Sequence, residues 1–154
     1  IDAISVSRIS HPRDRFFIGE SIKAVIKGIA DDGKITLSHK ELLGTWEENA
    51  RLFAPGQTVT GVVRSVEDYG IFVEITPNLA GLAEPRLGTK VGQQASVYIK
   101  SIIPEKMKIK LIIIDSFDTG YTPEINYFYK GDKLYEWDYS PTDCQKQITT
   151  RFCG

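Results

Sequence analysis

The sequence is poor in the residues on which metal binding, covalent catalysis and membrane insertion depend. Its 154 residues include two histidines, two cysteines and one methionine. No apolar run approaches the roughly 20 residues of a membrane-spanning helix, and no basic-then-apolar start marks a signal peptide. We therefore expect a cytoplasmic protein with no membrane partner. Because the sequence begins at Ile1 rather than at a methionine, we also expect a fragment of a longer protein.

The few cysteines and histidines form no chemical site at sequence spacing. Cys144 and Cys153 lie nine residues apart, without a histidine pair that would complete a metal site. Free thiols in a reducing compartment are the expectation, and a disulfide is the alternative that the sequence leaves open. No nucleophile–base pair, carboxylate dyad or phosphate-cradling loop stands out either. The sequence therefore predicts a protein that is not an enzyme and that needs no metal or cofactor.

An excess of positive charge is also missing. The formal net charge is -1 at pH 7. This balance argues against a strong non-specific DNA binder, because such proteins depend on neutralising phosphates. Binding of a single strand stays open, because base stacking on aromatic rings supplies much of its energy.

The most informative stretch that is present covers residues 61–75. It has the pattern of two alternating strands that meet at a tight turn at residues 68–70. In the second strand, Phe72 lies on the face opposite the aliphatic side chains at its neighbouring positions. If burial alone decided its place, a ring as large as that of Phe72 would lie on the aliphatic face. Its position on the other face, with Tyr69 nearby, indicates an open platform on which unpaired bases stack.

The surrounding pattern predicts an all-β protein. Five short strands between residues 58 and 114, with a glycine-rich crossover, are typical of a five-stranded Greek-key barrel of the OB type. Before it, residues 38–53 have helical spacing, and a capping box at Ser38 and Glu41 predicts where a linker helix begins.

An internal repeat divides the chain further. Residues 19–27 parallel residues 92–100, and residues 34–37 parallel residues 108–111 after a one-residue insertion. The first unit therefore matches only the last strands of the second. The expected organisation is a partial OB unit at 1–39, a linker helix at 40–54, a complete domain at 55–115 and an aromatic, β-rich tail at 116–154.

The tail carries its own prediction. Residues 125–129 and 134–139 have the pattern of a hairpin with an aromatic face, which is too much apolar surface to leave bare. We expect these strands to pack on the partial first unit and to substitute for its missing strands.

Residues 55–64, the segment Asp68-Tyr69-Gly70-Ile71-Phe72-Val73 and the tripeptide Ala80-Gly81-Leu82 resemble the S-one RNA-binding domain. This repeated domain is named for the largest protein of the bacterial small ribosomal subunit. The resemblance implies a five-stranded barrel that binds single-stranded RNA on the face of its second and third strands.

Carried over by position, the resemblance implies that Tyr69 and Phe72 stack bases. It implies phosphate contacts for Arg64 and Lys108, with Lys110 assisting. A glutamate, Glu84, stands where the family usually has a histidine, and its carboxylate repels phosphate. Arg86 lies close enough in sequence to offset that charge.

The resemblance implies single-stranded RNA as the main partner, together with the ribosome or other translation proteins. The residues alone leave other interpretations open. Arg64 could instead pair with Glu74 or Glu67, and the lysines could line an ordinary solvated strand face. A protein-docking or ribosome-docking module with weakened RNA binding is the alternative function, favoured by Glu84, the net charge and the aromatic tail. An accessory domain of an enzyme is a third.

Overall fold

The structure is a computed structural model that describes residues 3–7, 9–119, 125, 127–131 and 133–152. Its strands are β1 (Val25–Ile29), β2 (Ile35–Ser38), β3 (Thr58–Glu67), β4 (Gly70–Thr76), β5 (Leu79–Ala83), β6 (Gln94–Ile103), β7 (Lys108–Phe117), β8 (Glu136–Asp138) and β9 (Thr149–Arg151). One α-helix, α1, spans Trp46–Ala50, and short 3-10 helices span Pro12–Asp14, Lys40–Leu43 and Pro104–Lys106.

Strands β3 to β7 close into a five-stranded barrel in the order β3-β4-β5-β7-β6. All neighbours are antiparallel except β5 and β7, which run parallel. The prediction of an OB-type barrel is confirmed. The barrel interior is filled by the inward-facing aliphatic side chains that the alternating pattern predicts, and Val63, Ile71, Val73, Leu79, Val97, Ile99 and Ile109 are all almost completely buried.

Two glycines allow the barrel to close. A Cβ atom on Gly61 would lie 2.6 Å from the Glu74 carbonyl oxygen, and one on Gly81 would lie 2.6 Å from Cδ1 of Leu111. Neither position therefore has room for a side chain, and both strands can approach their neighbours only as glycine.

The prediction of a single helix over residues 38–53 is wrong, because the linker contains two short helices. Gly44, with φ of 93°, interrupts the segment and separates the 3-10 helix from α1. The capping box at the start of α1 belongs to Thr45 and Glu48. Ser38 is the last residue of β2, and its hydroxyl donates to the Glu41 carboxylate instead of capping a helix.

Among its described residues, the N-terminal unit contains one hairpin, β1–β2, which turns at residues 30–34. Residues 4–10 alternate in the sequence like a short strand, but they form no strand where the structure describes them. Just before them, the Ala3 carbonyl accepts hydrogen bonds from the linker amides of His39 and Lys40 at 2.7 and 3.1 Å.

The tail also pairs differently from the prediction. Of the segment expected as its first strand, residues 125 and 127–129 are described and are not extended in a sheet, while 126 lies outside the described residues. Strand β8 pairs with β9, and neither pairs with β1 or β2 in the described part of the chain. Trp137 and Tyr139 join the core cluster of the barrel. The tail strands therefore do not extend the β1–β2 sheet.

Asn78 connects the N-terminal segment, the linker and the tail to the barrel. It lies in the β4–β5 turn with φ of 70°, directly after a proline, as in a type II turn. Its side chain accepts from the Val6 amide at 3.0 Å and donates to the Lys40 carbonyl at 2.6 Å. Its own carbonyl accepts from the Tyr139 hydroxyl. One turn residue thus orders three segments around the barrel.

Candidate nucleic-acid interface

One row of cross-strand partners crosses four strands on the outer face of the barrel. Ser65 of β3 is the partner of Phe72, Phe72 of Leu82 in β5, and Leu82 of Lys110 in β7. Cross-strand partners project from the same face of a sheet. The Cα atoms of Phe72 and Lys110 therefore lie two strand spacings apart, or about 10 Å. The two predicted site residues come together although they are distant in the sequence.

Tyr69 extends this row at the β3–β4 turn. Tyr69 is 63% exposed, and its ring meets that of the half-buried Phe72 edge to face, with centroids 6.1 Å apart and an interplanar angle of 82°. Gly70 makes this arrangement possible, because a Cβ atom there would lie 2.7 Å from the Ala83 carbonyl oxygen of β5. Two neighbouring rings, one of them well exposed, offer the kind of surface on which nucleic-acid bases stack.

Lys108 and Lys110 are exposed on β7, alternating with the buried Ile109 and Leu111. The alternation directs both amines away from the core. Lys110 lies in the row with Phe72, and Lys108 lies two residues earlier, where it pairs with Ile103 of β6. Both amines are therefore accessible from outside the barrel.

Arg64 has a different environment from the other predicted site residues. It is only 8% exposed, and its Nη2 atom lies 3.2 Å from Oε1 of Glu74, whose side chain is fully buried. The same nitrogen donates to the Asp14 carbonyl at 3.3 Å. A β-bulge between Val63 and Ser65 accompanies this placement. The structure thus puts Arg64 beneath the N-terminal segment, in the ion pair that the sequence left open as its alternative.

The partner that the sequence reasoning missed is Arg15. Its Nη1 and Nη2 atoms donate to the two oxygens of Glu74 at 2.6 and 2.8 Å, and Nη2 also donates to Ser5. The signal available in the sequence was a carboxylate at position 74, on the same strand face as Phe72. Nothing local indicated which residue, 59 positions earlier, would cover it.

Arg86 lies outside the row. It follows β5, is exposed, and donates from Nη1 to the Ile113 carbonyl at 2.9 Å. That carbonyl is three residues beyond Lys110, or about 10 Å along the strand. Glu84 is also exposed, between the row and Arg86 in sequence. The two charges therefore flank the aromatic and lysine surface rather than forming part of it.

The described residues contain no group of three or more histidine, cysteine or acidic side chains that could hold a metal ion. His39 is buried between Phe16 and Tyr127, and its Nε2 atom lies 3.0 Å from the Tyr127 hydroxyl. Desolvation lowers the pKa of His39. These contacts give it a structural role. No helix in the described part of the chain is long and apolar enough to cross a membrane.

Comparisons with known proteins point to one family. The chain is 32% identical over 117 residues to small ribosomal subunit protein bS1 of Leuconostoc lactis. This match covers 74% of this chain and 27% of that protein. It is 34% identical over 128 residues to the protein of the same name from Staphylococcus aureus, covering 71% of this chain and 33% of that protein. The chain thus spans about a third of the length of these relatives or less.

No family model matches the chain. A solved structure of an uncharacterized protein from Methanocaldococcus jannaschii is 30% identical, with a TM-score of 0.37, over 38% of this chain and 89% of that one. The closed five-stranded barrel and the bS1 relatives agree with the motif at residues 68–73. The chain belongs to the S-one type domain family.

Proposed function

We propose that this chain binds single-stranded RNA on the outer face of β3, β4, β5 and β7, as part of a translation-related, ribosomal-protein-like protein. The observation that carries the proposal is the row that joins Phe72 to Lys110, with Tyr69 at its edge. Aromatic rings beside amines suit a strand whose bases stack and whose phosphates need neutralising.

In this proposal Tyr69 and Phe72 stack bases, and Lys110 and Lys108 contact phosphates. Leu82, half-buried between Phe72 and Lys110 in the row, supplies an apolar floor. Each stacked base contributes about 1–3 kcal/mol by alanine substitution. Two rings therefore suffice for sequence-tolerant binding that is micromolar or weaker, and higher affinity arises when several such domains act together.

In this proposal the charged residues Arg64, Arg86 and Glu84 have secondary roles. Arg64, held by Glu74, shapes the closed end of the face instead of contacting RNA directly. Arg86, anchored on β7, contributes positive potential at the border and opposes the exposed carboxylate of Glu84. The ribosomal names of the relatives support RNA and the ribosome as partners, a non-enzymatic role and a cytoplasmic location.

A titration of fluorescently labelled single-stranded RNA tests the proposal. The double substitution Tyr69→Ala with Phe72→Ala should weaken binding at least tenfold, because it removes both stacking rings. Tyr135→Ala is a matched control, because Tyr135 is 61% exposed but lies in the tail. Equal affinities for the double variant and the control would refute the stacking role.

A docking module is the second candidate, and one surface favours it. Tyr98 of β6 and Ile112 of β7 are cross-strand partners on the outer face, both partly exposed, and Ile114 extends this apolar area. Salt separates the two functions. RNA binding should weaken steeply as salt rises, whereas an apolar docking contact should not.

A further inference from the structure

The hairpin β1–β2 has the same strand register as the β6–β7 pair of the complete barrel. The internal repeat equates Ile26 with Ile99 and Leu37 with Leu111. In the structure Ile26 is the cross-strand partner of Leu37, and Ile99 is the partner of Leu111. The repeat is therefore reproduced in the pairing of the strands and not only in their sequence.

The irregularities of the two hairpins coincide as well. The register shifts between Ile26 and Gly28 in β1, so that Lys27 is the extra residue. In β6 it shifts between Ile99 and Ser101, so that the equivalent Lys100 is the extra residue. A bulge is a specific feature of a fold, so this agreement indicates that β1–β2 is built as part of the same barrel.

The turns before the two hairpins are also alike. Gly19 and its equivalent Gly92 both have φ of 93°. The amide of the residue after each glycine donates a 3.2 Å hydrogen bond to the carbonyl of the residue three positions earlier. In return, the amide of that earlier residue donates to the side chain of the residue after the glycine. These residues are Glu20 with Phe17 in the first unit and Gln93 with Lys90 in the second.

Burial is where the two hairpins differ. Ile99, Ile109 and Leu111 are at most 3% exposed in the barrel, whereas their equivalents Ile26, Ile35 and Leu37 are 53–57% exposed. Ile22, equivalent to the fully buried Ala95, is also exposed. Four large apolar side chains on one small hairpin, each equivalent to a buried residue of the barrel, form a surface of the kind that marks a binding site.

We propose that this exposed face docks three strands of the S-one type, supplied by residues that precede this sequence in a longer chain, and so closes a second barrel. In the complete barrel the second edge of β6 pairs antiparallel with β3, and the second edge of β7 pairs parallel with β5. The corresponding edges of β1 and β2 pair with no other strand in the described part of the chain. The bS1 relatives, about three times longer, have the length to supply such strands.

Two other occupants fit less well. The tail strands β8 and β9 pair with each other, and Trp137 and Tyr139 are already used in the core of the complete barrel. A second copy offers only another two-stranded hairpin, because its β3–β5 strands are closed within its own barrel. Neither supplies a strand with the register that the free edges require.

A fusion tests the proposal with strands of known structure. In the fusion, residues 55–89, which contain β3–β5, replace residues 1–16 and stand directly before Phe17. Because Phe17 is equivalent to Lys90, this junction keeps the length of the loop. The replacement also removes Arg15 from the buried pair with Glu74, so the reference protein is residues 17–154 without the added strands. Amide hydrogen exchange in residues 22–29 and 35–37 should slow by about 100-fold or more relative to that reference, because the amides move into a cooperative unit.

The control fusion carries aspartate in place of Ile71 and Val73 of the added copy only, and it should leave exchange in β1 and β2 fast. Protection of β6 reports in each protein that the original barrel is folded. Fast exchange of β1 and β2 in the first fusion, with β6 protected, would overturn the proposal.

A second test uses the unfused chain and does not depend on the fusion. Ile26→Asn and Leu37→Asn should each change the melting temperature by less than about 2 °C, as exposed positions do. Ile99→Asn, at the equivalent buried position, should abolish cooperative unfolding. If Ile26→Asn is as damaging as Ile99→Asn, the face is already covered and the proposal fails. A dimer in solution that Ile26→Asn dissociates would assign the face to a second copy instead.

Discussion

Arg15 donates two hydrogen bonds to the carboxylate of Glu74, at 2.6 and 2.8 Å, and both side chains are almost completely buried. The pair joins the N-terminal segment to the outer face of the barrel, with Arg64 as a second cation on the same carboxylate. A buried carboxylate needs such partners. The contact closes the outer face around Glu74, whereas Tyr69 at the β3–β4 turn is exposed.

Removing the Arg15 guanidinium should therefore be costly. Arg15→Met leaves Glu74 buried with one longer ion pair, at 3.2 Å to Arg64, and should lower the free energy of unfolding by about 3–5 kcal/mol. Urea unfolding followed by circular dichroism measures the change. Arg151→Met is the matched control: it breaks an exposed 2.7 Å pair with Glu136 and should lower stability by less than about 1 kcal/mol. Similar losses for the two variants would contradict the buried role of Arg15.

The second prediction concerns Gly81, where β5 approaches β7 too closely for a side chain. Gly81→Ala places a methyl group 2.6 Å from Cδ1 of Leu111 and 2.9 Å from the Ile109 carbonyl oxygen, and should destabilise the barrel by about 1–3 kcal/mol. Gly28→Ala meets no atom within 4 Å and should change stability by no more than about 0.5 kcal/mol. Thermal unfolding of both variants measures the difference, and an undamaged Gly81→Ala protein would show that β5 and β7 do not approach this closely.

The pH dependence of stability should report on His39. Burial lowers the pKa of His39 below its usual 6.5, so near and below that pH the unfolded chain binds more protons than the folded chain. The stabilisation is therefore complete above about pH 6.5 and is lost as the pH falls toward the lower folded pKa. Unfolding measured at pH 7 and pH 5 should show a smaller loss for His39→Gln than for the parent. An equal loss for His39→Gln and the parent would contradict this effect of His39.

The proposed phosphate contact of Lys110 has its own signature. Lys110→Gln should weaken binding of single-stranded RNA several-fold and reduce the magnitude of the salt slope by about 0.7, the value for one phosphate contact on a single strand. Titrations at three salt concentrations give both quantities. Lys146→Gln removes an exposed lysine of the tail and should alter neither. An unchanged slope for Lys110→Gln would remove this residue from the interface.

Local patterns in the sequence were enough to predict the barrel and its aromatic edge. Alternation of apolar residues, tight turns and the repeat depend on neighbours a few positions apart, and these predicted the β-strands of residues 58–114 and the exposure of Tyr69. The linker was one local failure, because the conformation of Gly44 outweighed the helical spacing around it.

Other features depended on contacts that no local pattern encodes. Whether Arg64 reaches solvent is decided by what packs over it, and that partner, Arg15, pairs with a carboxylate 59 positions away. The place of the tail is likewise set by the hydrogen bond from Tyr139 to Asn78, which joins residues 61 positions apart. The sequence by itself determined the strands of the barrel and the exposure of Tyr69 at the β3–β4 turn. Only the tertiary structure decided which charges are buried and which apolar face, that of β1–β2, is left exposed, because burial depends on contacts between distant segments.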